Sequence, residues 1–263
     1  MSTLVENVQK VVAAHKAIGD AISAKGVTIP EGTKLTDMAA FVEQIKTPPE
    51  PTNPRAVFTY DDATSIVVPS TLVVDMTKII NLVYCFYNCS SLTSLTLPEA
   101  FGRNTTTLAS CFCGCSSLTS LTLPSGFGQN AQNALRCFYN CSSLTSLTLP
   151  SGFGQNATNV SSCFYNCSSL TSLTLPSGFG QKATVLTSLF YGCSSLINIY
   201  GNPNFKVSLD LSDCTQLTHD SLMVVINGLQ TVTGQTLTLG TENLEKLMDE
   251  EKKVATDKGW MLA

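Results

Sequence analysis

The sequence predicts an α/β repeat solenoid built from 26-residue units of one short strand and one short helix, with a small helical module at the N-terminus. Three observations carry that expectation. Cys89, Cys115, Cys141, Cys167 and Cys193 stand 26 residues apart, and each is followed by Ser-Ser-Leu. The phrase Ser-Ser-Leu-Thr-Ser-Leu-Thr-Leu-Pro recurs unchanged at 90–98, 116–124, 142–150 and 168–176. Residues 137–155 and 163–181 are identical over 19 positions. A fixed period of about 20–50 residues marks a chain whose units bury their apolar faces only against their neighbours.

Taken in order, residues 1–46 read as two helices. Leu4, Val8, Val11, His15, Ile18 and Ile22 alternate at spacings of four and three, a heptad seam that suits oligomerisation. Gly26 can close this helix in a left-handed cap, and Thr36 can cap a second one carrying Met38, Phe41, Val42 and Ile45. The Pro-rich stretch 47–56 is an extended linker. The repeat then governs 57–205. In each unit Leu95 and its equivalents face one way, with Leu97, while Ser94 and Thr96 face the other. A Pro-Ser-Gly-Phe-Gly turn leads to the expected helix, whose apolar positions include Val160, Cys163, Phe164 and Cys167. Strands at 65–69 and 198–200 are degenerate end copies. Residues 206–263 break the period. They read as a strand at 208–211, a helix near 219–229, a strand at 236–239 and a charged helix near 242–256. Leu244, Leu247, Met248 and Val254 are the expected apolar stripe of that last helix, and the whole region reads as a cap over the final edge.

Formal net charge is −4 with no basic run, which excludes a nucleic-acid footprint. Only Glu99, Arg103, Arg136 and Lys182 are charged in 90–205, whereas ten of eighteen residues are charged in 241–258. The opening Met-Ser-Thr-Leu-Val-Glu-Asn-Val-Gln-Lys has neither the basic start nor the apolar stretch of a secretory signal. No run approaches the roughly 20 apolar residues of a membrane span. Eleven cysteines in this placement favour buried thiols over bridges.

The unit Cys-Phe-Tyr-Asn-Cys-Ser-Ser-Leu-Thr-Ser-Leu-Thr-Leu-Pro resembles the BspA-like leucine-rich repeats of bacterial surface and phage-encoded proteins. The resemblance covers about 60–205. It implies a right-handed leucine-rich-repeat solenoid used for adhesion or recognition, with no catalytic residue to carry over. The unit is longer than the family's commoner one, with the added residues falling within Gly-Phe-Gly-Gln-Asn-Ala. The N-terminal Ala17-Ile-Gly-Asp-Ala-Ile-Ser-Ala-Lys-Gly and Leu35-Thr-Asp-Met resemble segments of phage and prophage tail-associated proteins. So do Leu239-Gly-Thr-Glu-Asn-Leu-Glu-Lys-Leu and Asp257-Lys-Gly-Trp260.

Several constellations suggest chemistry and are better read as structure. The Cys-x-x-x-Cys pairs Cys85/Cys89, Cys111/Cys115, Cys137/Cys141 and Cys163/Cys167 have metal-ligand spacing, but the next unit has Leu189 where a ligand would be needed. Buried cysteine behaves as a small apolar residue, so core thiols are expected and no metal. Gly126-Phe-Gly128-Gln-Asn-Ala131 has the form of a dinucleotide loop, but it recurs at Gly152/Gly154/Ala157 and Gly178/Gly180/Ala183 without an acidic partner for a ribose. A tight turn is the better reading, and no cofactor is expected. His219-Asp220-Ser221 has the residue types of a hydrolase triad, but consecutive positions cannot assemble one, and Thr218 reads instead as a helix cap. The outward strand residues form two columns. One runs Ser94, Ser120, Ser146, Ser172 and Asn198; the other runs Thr96, Thr122, Thr148, Thr174 and Tyr200. These ten residues are the candidate binding face, set against the plain reading that Ser and Thr keep a strand soluble and β-prone. Tyr87, Tyr139, Tyr165 and Tyr191 form a further column, expected on the helical side with partly packed edges.

The function expected from all this is non-enzymatic recognition or adhesion. The leading expectation is a phage or prophage tail component whose solenoid binds a protein or glycan on a host surface. A bacterial cell-surface adhesin of the BspA-like type and a structural spacer are the alternatives. The expected location is a virion or phage tail, or an extracellular surface, with no signal peptide in this chain. Residues 1–46 would assemble a homo-oligomer, with a trimer favoured by the Val and Ile of the seam, or would dock onto a larger assembly. A seam this short is marginal alone in water and must be buried against another copy, a docking partner or residues 36–46 of its own chain. Val11→Asp should therefore disperse the oligomer in sedimentation experiments. A wild-type chain that stays monomeric at high concentration would remove the oligomer reading.

Overall fold

The computed structural model describes Ser65–Val67 and residues 79–263. The helical module at 1–46, its seam of Leu4, Val8, Val11, His15, Ile18 and Ile22, and the linker at 47–56 lie outside the described residues. The strands are β1 (Ser65–Val67), β2 (Ser94–Thr96), β3 (Ser146–Thr148), β4 (Ser172–Leu175), β5 (Asn198–Gly201), β6 (Leu209–Asp210), β7 (Gln235–Thr238) and β8 (Trp260–Leu262). The helices are α1 (His219–Asn227), α2 (Thr241–Leu244) and α3 (Asp249–Asp257). All strand pairs are parallel: β1 with β2, β3–β4–β5, and β6–β7–β8. Parallel pairing follows directly from a repeat in which every turn of the chain runs the same way.

The register is that of the repeat. Leu147, Leu173 and Ile199 stand opposite one another, as do Thr148, Thr174 and Tyr200. Ser120 joins the same line through a single bridge to Ser146. A second line of parallel bridges, Asn81–Thr107–Asn133–Asn159–Val185, runs along another side of the stack. Leu95, Leu121, Leu147 and Leu173 point inward and are buried, as the alternation predicts.

Among the described residues the expected helix of each unit does not form. Residues 160–170 make consecutive four-residue turns instead. Cys163 N–H donates to the Val160 carbonyl (3.2 Å), Tyr165 to Ser162 (3.2 Å), and Cys167 to Phe164 (3.1 Å). The intervening amides point to the next unit: Ser162 donates to Thr187 (2.9 Å), Phe164 to Leu189 (3.1 Å), and Asn166 to Tyr191 (2.7 Å). Half of the donors a helix would use are thus taken by the neighbouring rung. Ser162 and Asn166 also adopt positive φ (52° and 53°), and their equivalents Arg136 and Asn140 do the same (54° and 56°). A left-handed residue at every fourth position breaks a right-handed helix. The 3, 4, 7 spacing that suggested a helix is real, but a stack of turns satisfies it.

What the turns bury is aromatic. Phe86, Phe112, Phe138, Phe164 and Phe190 form one column, stacked face to face at 5.3–5.7 Å with planes 2–8° apart. Phe101, Phe127, Phe153 and Phe179 form a second at 6.2–6.4 Å, which Phe205 ends edge-on. All ten rings are fully buried. This second column explains the glycine loop. At Gly128, with φ +70°, a Cβ would lie 2.8 Å from the Phe153 ring; at Gly154, also +70°, it would lie 2.6 Å from the Phe179 ring. The glycines make room for the next unit's phenylalanine rather than for a ligand.

The cysteines complete the core. All eleven are free and buried. Cys115, Cys141, Cys167 and Cys193 direct their thiols at the carbonyls of Phe86, Phe112, Phe138 and Phe164 (3.0–3.2 Å). Burial pushes the Cys193 thiol up to about 12 and raises Cys111, Cys137 and Cys167. These are protonated donors in an apolar column.

Beyond β5 the period changes. Thr218 caps α1, its Oγ1 accepting from Ser221 N–H (3.3 Å). The charged helix expected over 242–256 is divided into α2 and α3. Asn243, fully buried, donates to the carbonyls of Leu211, Cys214 and Leu239, and Lys246 donates to Thr215 and Leu217. Those anchors tie 243–246 to the preceding unit, and α3 restarts with Met248 N–H bonded to the Glu251 carboxylate (2.9 Å). Leu247 is buried, but Met248 is 61% exposed and drops out of the expected stripe.

Leu147, 2% exposed, should cost about 2–5 kcal/mol on mutation to Ala. Thr148, exposed on the opposite side of the strand, should cost under about 1 kcal/mol. Denaturant titration compares the two, and equal costs would mean that the strand faces are assigned wrongly.

Candidate functional site

The ten candidate residues divide by position. Ser146, Thr148, Ser172, Thr174, Asn198 and Tyr200 lie side by side on β3, β4 and β5, and Ser120 joins them by its bridge. Thr122 follows Ser120 two residues on and is likewise exposed. Ser94 and Thr96 are exposed too, but on β2, which pairs with β1 in a separate sheet. Ser172, Thr174 and Asn198 are half-buried, and Tyr200 is 51% exposed. The structure thus gathers eight of the ten into one face and places the other two on a different sheet.

Hydroxyls on the stack fall into two groups that look alike in sequence. Thr171 Oγ1 donates to the Thr145 carbonyl (3.0 Å), and Thr145 to Thr119 (3.2 Å). Thr184 and Thr158 do the same to Thr158 and Gln132 (3.1 and 3.3 Å), and Ser142 and Ser168 to Ser116 and Ser142 (3.4 Å each). These tie one unit to the next. The hydroxyls of Ser120, Thr122, Ser146, Thr148, Ser172 and Thr174 make no such bond among the described residues. They remain available to an outside partner, at the rung spacing of about 4.8 Å that parallel strands impose. No charged residue stands in these columns.

The tyrosine column is more ordered than the sequence suggests. Tyr139 stacks on Tyr165 at 4.6 Å and 7°, and Tyr165 on Tyr191 at 4.8 Å and 18°. The Arg136 guanidinium sits 5.5 Å over the Tyr139 ring. Burial first, then the neighbouring Tyr139 and Tyr191, raise the Tyr165 phenol. Tyr139 and Tyr165 are half-buried, whereas Tyr87 and Tyr191 are exposed. Tyr84, which the periodicity does not single out, meets Tyr87 edge to face at 5.0 Å.

His219, Asp220 and Ser221 do not assemble a triad. Ser221 is 2% exposed; its Oγ bonds the Ile199 N–H (3.0 Å), the Ile197 carbonyl (3.0 Å) and the Thr218 hydroxyl (2.7 Å). The serine fastens α1 to β5. The imidazole faces elsewhere, with Nε2 2.8 Å from Glu251 and Nδ1 3.3 Å from Asp220. Among the described residues no group of three or more His, Cys, Asp or Glu is placed to hold a metal ion. None of the described helices is long and apolar enough to cross a membrane.

Parallel rungs of a recurring length, an inward leucine alternation and an outward hydroxyl face define a leucine-rich-repeat protein. The family model for the BspA type leucine-rich repeat region matches residues 54–197 and 135–222, and the chain belongs to that family. Among solved structures, the T. pallidum leucine-rich repeat protein (TpLRR) is similar at 17% identity and a TM-score of 0.41, over 79% of this chain and 88% of that one. A leucine-rich repeat protein from Bacteroides ovatus is similar at 19% identity and a TM-score of 0.33, over 68% of this chain and 50% of that one. None of the curated proteins matches the chain.

The contact between α1 and α3 predicts a pH dependence. Glu251, then Asp220, raise the His219 imidazole, so its contribution is full below about pH 6.5 and lost as pH rises through the raised value. The Met248 N–H, then His219, lower Glu251, so its contribution holds above about pH 4.3 and is lost as pH falls through the lowered value. His219→Ala should therefore lower the thermal midpoint most near about pH 5.5 and least above about pH 8. A midpoint difference that does not vary with pH would show that the pair contributes nothing.

Proposed function

We propose that the chain is a non-enzymatic recognition protein whose strand face binds a protein or glycan on a host or cell surface. The observation that carries this is the division of hydroxyls: neighbouring columns are consumed between rungs, while Ser120, Thr122, Ser146, Thr148, Ser172 and Thr174 are not. Tyr200 extends the threonine column with an aromatic ring at the sheet's end. A flat face of repeated weak donors and acceptors suits multivalent contact rather than a deep pocket, and oligomerisation would multiply it. Resemblance of the terminal segments to tail-associated proteins supports a place in a phage or prophage tail, with residues 1–46 assembling or docking the chain. Membership of the BspA-type family supports the second reading, an adhesin on a bacterial surface.

The test is binding of the fluorescently labelled chain to whole bacterial cells. Thr148→Arg with Thr174→Arg should reduce binding at least tenfold, and Gln132→Arg, exposed outside these columns, should leave it intact. Equal binding by all three would overturn the assignment of this face. Immunolabelling of virions and of cell envelopes separates the tail reading from the adhesin reading.

A further inference from the structure

The tyrosine stack ends at Tyr191, and what lies beyond it differs from every earlier step. Cys193 and Cys214 are 21 residues apart rather than 26, so the next unit is shorter. Its alignment is set by two contacts. Cys214 directs its thiol at the Phe190 carbonyl (3.7 Å), as Cys193 does to Phe164, and Asp213 Oδ2 accepts from the Gly192 N–H (2.9 Å). Ser212 therefore occupies the position where a further tyrosine would stack. A side chain this small leaves Tyr191 51% exposed, with its ring stacked on Tyr165.

The exposed ring borders a shallow depression lined by Ser188, Phe190, Tyr191, Asp210, Ser212 and Asp213. Both carboxylates there are half used. Asp213 holds the Gly192 amide through Oδ2, and Asp210 accepts from Ser212 N–H (2.9 Å) and Ser212 Oγ–H (2.7 Å) through Oδ1. Asp213 Oδ1 and Asp210 Oδ2 take no hydrogen bond among the described residues, and neither carboxylate forms an ion pair there. An exposed aromatic ring beside two carboxylates without cationic partners is complementary to one kind of group, an organic cation.

We propose that this depression binds an arginine side chain of a partner protein, the guanidinium lying on the Tyr191 ring and donating to Asp210 and Asp213. A planar, weakly hydrated guanidinium stacks on an aromatic ring and bonds carboxylates at its edge at the same time, so it fits better than an ammonium. The site combines turn residues with Asp210 of β6 and shares no residue with the candidate face on β3, β4 and β5.

The test uses the full chain, with its amide resonances followed by NMR, and an arginine tripeptide (Gly-Arg-Gly amide) as the probe. The peptide should shift the Gly192 and Ser212 amides saturably, and the isosteric citrulline peptide should not. Tyr191→Leu, by removing the cation–aromatic contact, and Asp213→Asn, by removing the carboxylate charge, should each weaken the interaction about tenfold. Asp249→Asn, on α3 and away from the depression, serves as control and should leave it unchanged. No saturable shift, equal binding of the citrulline peptide, or saturation by calcium chloride where the peptide fails would each overturn the proposal. Binding to cells through the strand face could survive any of those results.

Discussion

Each unit of this chain hands its backbone hydrogen bonds to the next, and the fixed length of 26 residues is the condition for doing so. When Phe138 N–H donates to the Cys163 carbonyl and Phe164 N–H to Leu189, the phenylalanines between those bonds are brought into face-to-face stacking. The same register sets the second phenylalanine column against Gly128 and Gly154, where no other residue leaves room. It also sets the thiols of Cys141 and Cys167 against the carbonyls of Phe112 and Phe138. A single inserted residue in one unit would move all of these together. That is why near-identical sequence, and not merely similar hydrophobicity, runs through the middle of the chain.

The outer surface obeys the same register but divides its polar groups. Hydroxyls at 145, 158, 171 and 184 bond the carbonyl one unit back and add to the cohesion of the stack. Those at 146, 148, 172 and 174 stand over the leucine core on the strand's other face and are directed away from it. Neutral hydroxyl columns attract no particular charge and contribute little singly. Recognition through them depends on repetition, which the rung spacing supplies.

The strand register and the inward leucines could be read from the sequence because a period of two has one structural meaning on a sheet edge. The turn segment could not. Val160, Cys163, Phe164 and Cys167 satisfy helical spacing, and the competition that decides the matter comes from the neighbouring unit's carbonyls, which local pattern does not show. The same limit hid the break between α2 and α3, where a buried Asn243 and the partly buried Lys246 ammonium reach carbonyls about 30 residues earlier. The candidate face was legible as columns of Ser and Thr. Which hydroxyls were already committed was not, since Thr145 and Thr148 differ in geometry and not in kind. Ser94 and Thr96 fit the columns by sequence but pair with β1 instead.

A strictly periodic stack can only repeat one contact, so a distinct site requires a break in the period. After the run of 26-residue units the period breaks at the shortening between Cys193 and Cys214. Several non-repeated features collect there. Tyr200 replaces threonine at the end of its column, α1 is fastened to β5 through Ser221, and Tyr191 loses its stacking neighbour to Ser212. Two aspartates enter at the same point, in a stretch where the preceding units have almost no charge. The cause of all this is geometric. A unit five residues shorter cannot carry both the turn segment and the full set of side chains stacked on it, and what it omits leaves faces of the preceding unit uncovered. Identical rungs provide the rigid support, and the irregular unit provides the specific surface, on one continuous core.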